Sequence, residues 1–224
     1  MWGLGRFVLI VAALALAGVA AWQYATRWHP SVERYPVQGV DVSASDGEIE
    51  WNAVSAAGAD FAYVVATHGM NQRDQAFETN WHGVETAGMR RGAIHVYSFC
   101  QPAREQANAF NTFVPADSGA LPVAIDISYD PGCAIRPERD ALLADLRLLA
   151  TTIEAHMRKP VLLRIARAVE SDYDISTALP RNLWASGNFL APSYAARPWR
   201  MWRANDMRRV DGIDGPANWD VAAP

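Results

Sequence analysis

Apolar runs alternate with amphipathic segments along most of this chain. Five mostly apolar runs are typical of strands covered on both faces, at residues 39–42, 61–66, 93–99, 123–127 and 161–165. Predicted helices follow at 51–57, 76–87, 104–113 and 138–156. In the second of these helices, Phe77, Trp81 and Val84 share one face. The alternation predicts a parallel sheet with right-handed crossovers.

The pattern changes after Arg158, where helices become scarce and strands are predicted only at 183–185 and 199–202. We therefore expect an α/β fold with an irregular, TIM-like (β/α) barrel whose last strands are joined by loops. With 224 residues, half of them hydrophobic, the chain can bury a core of that size in one domain over residues 37–224.

Residues 1–25 differ in composition from the rest. Arg6 precedes an uncharged stretch over residues 7–22, which predicts a signal peptide or a membrane anchor. As a helix this stretch rises roughly 24 Å, a little short of the ~30 Å hydrocarbon core, with Trp2, Trp22, Tyr24 and Trp28 placed for the interfaces. We favour an uncleaved inner-membrane anchor and a polar linker at 26–36. Either alternative places the domain on the periplasmic side or outside the cell.

Charge and cysteine content exclude several partners. The net charge is −4 and the basic residues are scattered, so we expect no nucleic-acid partner. Export permits disulfides, and Cys100 and Cys133 both fall in loops after predicted strands. We expect a Cys100–Cys133 bond, the alternative being two unpaired thiols. Two cysteines without matched histidines predict no metal site, and we expect no cofactor.

Two predicted strands end in an aspartate, Asp41 and Asp126. Chemistry in such barrels gathers where strands meet loops at their carboxyl ends. Alternate strand residues share a face, so Ser128 should point the same way as Asp126. A site that cleaves sugars would carry a second carboxyl at that position, and this chain carries a hydroxyl.

The order of short motifs resembles glycoside hydrolase family 25, the lysozyme-like muramidases. These motifs include GVDVS at 39–43, GEIEW at 47–51, AGADFAYVVAT at 57–67, LPVAID at 121–126 and GIDGP at 212–216. The resemblance covers nearly all of the exported part and implies peptidoglycan, or a related glycan of N-acetyl amino sugars, as the ligand. It also implies four acidic catalytic positions, matched here by Asp41, Asp126, Ser128 and Asn218.

Two of those four positions have lost their carboxyl. The resemblance makes Ser128 the counterpart of the general acid and Asn218 the counterpart of a near-terminal aspartate. Asp126 or Asp41 would orient the sugar's own N-acetyl group, which attacks in this family. Serine cannot replace a positioned general acid, whose loss slows such reactions by ~10²–10⁴. Three residues are candidate substitutes: Asp130, His68 and Glu170.

Further departures from the family pattern lie at His68, where the family shows glutamate, and at Arg203, where it shows glutamine. Arg203 could pair with the surviving aspartates and neutralise the pocket. We predict that His95 is a core histidine. We also predict that the glycan contacts Arg203 and four aromatic residues: Tyr63, Tyr97, Trp184 and Trp202.

The sequence alone is compatible with three functions. The first is a muramidase with weak or impaired hydrolysis. The second is a non-catalytic peptidoglycan-binding pseudoenzyme or cell-wall adaptor. The third is a structural, membrane-tethered domain without glycan affinity.

Overall fold

The computed structural model describes residues 2–224, with side chains from Gly5 onward. Met1 and the side chain of Trp2, including its expected interfacial position, lie outside the described residues. An apolar helix, α1 (Trp2–Arg27), precedes the domain.

Eight strands close into a barrel. They are β1 (Gln38–Val42), β2 (Phe61–His68), β4 (Arg90–Val96), β5 (Ala124–Ile127), β6 (Leu162–Ile165), β7 (Asn182–Ser186), β8 (Met201–Arg208) and β9 (Ala217–Ala222). The β1–β2 pairing closes the barrel, and β9 is antiparallel to both of its neighbours, β8 and β1. The two-residue strand β3 (Gln72–Arg73) forms a hairpin with the end of β2.

Helices cover the outside of the barrel. They are α2 (Trp51–Ala56), α3 (Phe77–Thr86), α4 (Ala103–Phe113), α5 (Arg139–Met157), α6 (Arg167–Tyr173) and α7 (Ile175–Ala178). The predicted irregular (β/α) barrel is thus confirmed. The sequence analysis missed β9, because Asn218 and Asp220 interrupt its apolar run, and it missed the short helices α6 and α7.

The inside of the barrel is layered, because alternate residues of every strand point inward. The lower layer is apolar and buried, and it contains Phe61, Tyr63, Ile94, Ala124, Leu162, Trp184 and Met201. Gly92 makes room for this layer, since a Cβ there would lie 2.4 Å from the Tyr63 ring. Two residues further along the strands, the next inward layer contains Asp126, Arg164 and Arg203. The apolar layer therefore lies directly beneath a charged layer.

The segment at 26–36, predicted to be a linker, packs against the barrel. Thr26 and Tyr35 are buried, and the rings of Trp28 and Tyr35 contact that of Trp202 at centroid distances of 6.3 and 5.9 Å. Trp28, expected at a membrane interface, therefore lies against the barrel core instead. Helix α1 joins the barrel through a packed segment.

A disulfide joins Cys100 and Cys133, the pairing that the sequence analysis expected, with a Cα–Cα distance of 5.9 Å. Cys100 follows β4 and Cys133 follows β5, so the bond ties together two loops at the carboxyl end of the barrel.

Replacing both cysteines with serine should lower the free energy of unfolding by about 4 kcal/mol, because the bond closes a loop of 33 residues in the unfolded chain. Urea unfolding of the full chain in detergent measures the change. Reductant should weaken the parent by a similar amount and leave the double variant unchanged. Equal stability of the oxidised parent and the variant would contradict this expectation.

Candidate functional site

A solvent-open cavity of about 520 Å³ lies at the carboxyl ends of the strands. Its floor is the charged layer, formed by Asp41, Asp126, Arg164, Arg203 and Asn218. Its rim is formed by the turn after β1, which includes Ser45 and Asp46, and by the hairpin of β3. The cavity therefore lies where the sequence analysis placed the chemistry.

Arg164 joins the two aspartates of the floor. Its Nη1 donates to Asp41 Oδ1 at 2.9 Å, and its Nη2 donates to Asp126 Oδ2 at 2.7 Å. The guanidinium lies 4.8 Å above the ring of Trp184, which belongs to the apolar layer. Only 8% of the Arg164 side chain and 4% of that of Asp41 are exposed, so this pair is shielded from water.

Asp41 accepts hydrogen bonds from three residues. Arg203 binds its carboxylate in bidentate fashion, with Nε–Oδ2 at 2.9 Å and Nη2–Oδ1 at 2.5 Å, and Asn218 Nδ2 donates to Oδ1 at 3.2 Å. Together with Arg164, these donors occupy both oxygens of Asp41. The pairing of Arg203 with a surviving aspartate, one of the alternatives raised from sequence, is present.

These contacts fix the charge states of the floor. Burial raises the pKa of Asp41, but the positive charges of Arg203 and Arg164 lower it by more, so its pKa lies well below the usual range. Burial lowers the pKa of Arg164, but the charges of Asp126 and Asp41 raise it by more. Asp41 and Arg164 are therefore both charged at neutral pH.

Asp220 lies beneath this network as a buried acid. Its Oδ1 accepts a hydrogen bond from Trp184 Nε1 at 3.0 Å, and its Oδ2 receives none within the described residues. Burial and the nearby charge of Asp41 raise the pKa of Asp220 well above its usual value. A proton on Asp220 removes the repulsion between this side chain and the charged Asp41.

The three candidate substitutes for the general acid lie in different places, and only His68 is part of the cavity wall. His68 lies on the cavity wall, and its Nε2 is 3.7 Å from Asp130 Oδ2, with both side chains about one third exposed at 37% and 35%. Ser128 is half-buried just beyond the end of β5.

Glu170 lies outside the cavity wall, in contrast to its proposed role. Its carboxylate is buried and accepts hydrogen bonds from the backbone N and the hydroxyl of Ser176. The side chain ties α6 to α7 and is occupied by that role.

The four aromatic residues expected to contact a glycan lie in the core instead. Tyr63 and Trp184 fill the apolar layer inside the barrel, whereas Tyr97 and Trp202 pack between the strands and the outer elements. Each is 3% exposed or less. Buried rings of this kind stabilise the barrel by the hydrophobic effect and offer no face to a ligand.

His95 is a core histidine, as the sequence analysis predicted. Its Nδ1 lies 2.8 Å from the Thr67 hydroxyl and its Nε2 lies 3.3 Å from Gln106 Oε1. Burial lowers its pKa to about 4, so the ring is neutral at physiological pH. No group of three or more His, Cys, Asp or Glu side chains that could hold a metal ion occurs in the described part of the chain.

Sequence reasoning missed Arg164 and Asp220. Arg164 did carry a signal, since it is the single charged residue of the predicted strand at 161–165. A charge inside such a run needs a buried partner of opposite sign. Asp220 carried a weaker signal, because β9 was not predicted as a strand.

Asp220→Asn should stabilise the protein above about pH 4, where the unfolded Asp220 carboxyl ionises while the folded one keeps its proton. The amide replaces the protonated acid with a neutral side chain of the same shape and retains an acceptor for Trp184 Nε1. The advantage over the parent should grow by up to about 1.4 kcal/mol per pH unit as the pH rises, up to the pKa of the folded Asp220.

Urea unfolding between pH 4 and pH 8 measures this difference, with the exposed Asp211→Asn as the matched control. A variant whose advantage does not change with pH, as expected for the control, would show that Asp220 is ionised in the folded protein.

Comparison with known proteins gives the family. The sequence model described as "Glycosyl hydrolases family 25" matches residues 40–213. Lysozyme M1 of Streptomyces globisporus is 36% identical over 106 residues, which are 44% of this chain and 35% of that protein. The uncharacterized protein YegX of Escherichia coli (strain K12) is 27% identical over 198 residues, which are 84% of this chain and 70% of YegX.

Solved structures agree with this result. A family 25 glycosyl hydrolase from Bacillus anthracis aligns with a TM-score of 0.80 and 28% identity, over 87% of this chain and 92% of that one. The bacterial lysozyme from Streptomyces coelicolor aligns with a TM-score of 0.75 and 26% identity, over 83% and 91%. With its barrel, its cavity and the match over residues 40–213, this chain belongs to glycosyl hydrolase family 25, the lysozyme-like muramidases.

Proposed function

We propose that this protein binds peptidoglycan glycan strands in its cavity and that its muramidase turnover is strongly impaired. One observation carries this proposal: Arg164 holds Asp41 and Asp126 at the same time. The position that the family resemblance assigns to the general acid is Ser128, just beyond the end of β5.

Glycoside hydrolysis needs an acid to protonate the leaving oxygen and a carboxylate to support the charge that develops on the sugar. The Ser128 hydroxyl cannot serve as the acid at neutral pH. Asp41 has both oxygens occupied by arginine and asparagine donors, so its charge is already compensated. Asp126 uses Oδ2 to bind Arg164 and thus shares a cation with Asp41.

Glycan binding is supported by the cavity that remains. Its volume of about 520 Å³ accommodates sugar rings, and its rim offers hydroxyl and amide groups from Ser45, Gln72 and Gln75. Arg73, also at the rim, is a cation for the lactyl and peptide carboxylates of peptidoglycan.

A second candidate function is slow hydrolysis with a substitute acid. The pair of His68 and Asp130, 3.7 Å apart beside the cavity, is the observation that favours it. A histidine held by a carboxylate can donate a proton near neutral pH.

We also propose that the barrel is exported and acts at the cell wall. The apolar stretch at 7–22 serves as a signal peptide or as an anchor, and the Cys100–Cys133 disulfide suits an oxidising compartment. The binding activity would make the protein a cell-wall adaptor.

Ser128→Glu should increase muropeptide release from purified peptidoglycan at least about tenfold over the parent, because it supplies a carboxyl at the general-acid position. Ser128→Gln has the same size without the acid and should stay at the parent's level. The full chain in detergent is assayed by chromatography of soluble products.

Rapid release by the parent would contradict impaired turnover. If Asp126→Asn and His68→Gln each abolish that release, the second candidate function is the correct one.

Ser45→Arg should weaken sedimentation with peptidoglycan at least about tenfold, because a large side chain at the rim obstructs the cavity. Ser118→Arg, away from the cavity, has the same change in size and charge and should bind like the parent. Equal binding by both variants would mean that the glycan binds elsewhere or that the proposed function is wrong.

A further inference from the structure

Helix α1 is apolar and projects away from the barrel. From Phe7 to Tyr24 it carries no charged residue, and all its described side chains up to Tyr24 are exposed. An 18-residue window within Gly5–Arg27 has a mean hydropathy of 2.0, and by length and composition the helix can cross a membrane. Trp22 and Tyr24 are followed by Arg27, the order in which residues mark a membrane interface.

The last turn of α1 is docked on β8. The buried Asn205 donates from Nδ2 to the carbonyl oxygens of Ala25 and Trp28 at 2.8 and 2.9 Å. The backbone N of Arg209 donates to Thr26 O at 2.7 Å. Trp28 also packs against the ring of Phe189, with centroids 5.2 Å apart. The helix therefore passes into the barrel without a flexible tether.

This docking lies at the cavity end of the barrel. Strand β8 is parallel to β7 and runs towards the cavity, where Arg203 forms part of the floor. Asn205 follows two residues later, about 7 Å further along the strand, and Arg209 follows the end of the strand.

From the docked turn the chain runs back along the barrel. Tyr35 packs on Trp199 and Trp202, near the start of β8, with centroid distances of 6.1 and 5.9 Å. It then enters β1 at Gln38, at the end of the barrel opposite the cavity. The apolar helix thus leaves the barrel from the end that carries the cavity.

We propose that α1 is a retained anchor that holds the cavity rim at the membrane surface, so that the cavity takes glycan whose end is still held in the membrane by a lipid. The ligand part of this proposal rests on the proposed function, whereas the anchoring part rests on the docking of α1 alone. A rigid connection confines the cavity to glycan next to the bilayer and keeps it away from mature wall further out.

Site-specific labelling tests the anchoring part. The two cysteines of the chain are joined in the disulfide, so a single introduced cysteine carries a thiol-reactive fluorophore. Ser45→Cys places the label at the cavity rim, and Asn182→Cys places it at the opposite end, both at exposed positions. The full chain is reconstituted in phosphatidylethanolamine and phosphatidylglycerol vesicles containing lipids with a nitroxide on the headgroup.

The nitroxide should remove at least about half of the fluorescence of the Ser45→Cys label, because the rim lies at the headgroups. The Asn182→Cys label should keep its fluorescence. Equal quenching of both labels, stronger quenching of the Asn182→Cys label, or recovery of a chain cleaved within α1 from its native membranes would overturn the anchoring part.

A flexible insertion tests the ligand part. Twenty glycine and serine residues between Tyr24 and Ala25 keep Ala25, Thr26 and Trp28, which bond to β8 and Arg209, on the barrel side of the insertion. The insertion extends the reach by about 25 Å. Parent and insertion variant are reconstituted in vesicles with a photoreactive lipid-linked N-acetylglucosaminyl-N-acetylmuramyl peptide, and purified peptidoglycan is added outside. We expect both to crosslink the lipid-linked glycan and the variant to capture at least about tenfold more external peptidoglycan.

Equal capture of external peptidoglycan by both proteins, or no crosslink to the lipid-linked glycan by the parent, would overturn the ligand part. Failure of the proposed function is a separate result: the full chain in detergent would then not sediment with peptidoglycan, and the quenching result would still stand.

Discussion

The guanidinium of Arg164 lies between the carboxylates of Asp41 and Asp126, and the charge state of the whole cavity floor depends on this contact. A buried cation is tolerated only when its partners remain ionised and hydrogen-bonded. Arg203 and Asn218 donate the remaining hydrogen bonds to Asp41. The buried Asp220 keeps its proton, because burial and the charge of Asp41 raise its pKa. The negative charges of the cavity floor are therefore balanced by arginines, and the apolar layer lies beneath them.

Such a floor suits binding better than glycoside hydrolysis. The barrel is that of glycosyl hydrolase family 25, and the cavity at the carboxyl ends of its strands is open to solvent. In our proposal, the carboxylates that would act on the sugar are paired with arginines, and Ser128 is at the position of the general acid. Because a shared fold does not determine which reaction a protein catalyses, our proposal rests more on the residues of the cavity floor than on the barrel of the family.

The sequence predicted what depends on local patterns and missed what depends on tertiary packing. Apolar periodicity was sufficient for most of the barrel, and loop placement was sufficient for the disulfide. The aromatic residues were misplaced because composition does not tell a buried ring from a cleft ring: Trp184 lies under Arg164, inside the barrel. Asp220 was missed because its raised pKa arises only once β9 pairs with β1 and brings it to Asp41.

In our proposal the cavity binds the glycan and does not cleave it. Calorimetry with a defined N-acetylglucosaminyl-N-acetylmuramyl tetrasaccharide measures binding. Mass spectrometry of the same sample after prolonged incubation then measures cleavage. We expect measurable binding heat and an intact tetrasaccharide. Disaccharide products, or an intact sugar without any binding, would contradict the proposal.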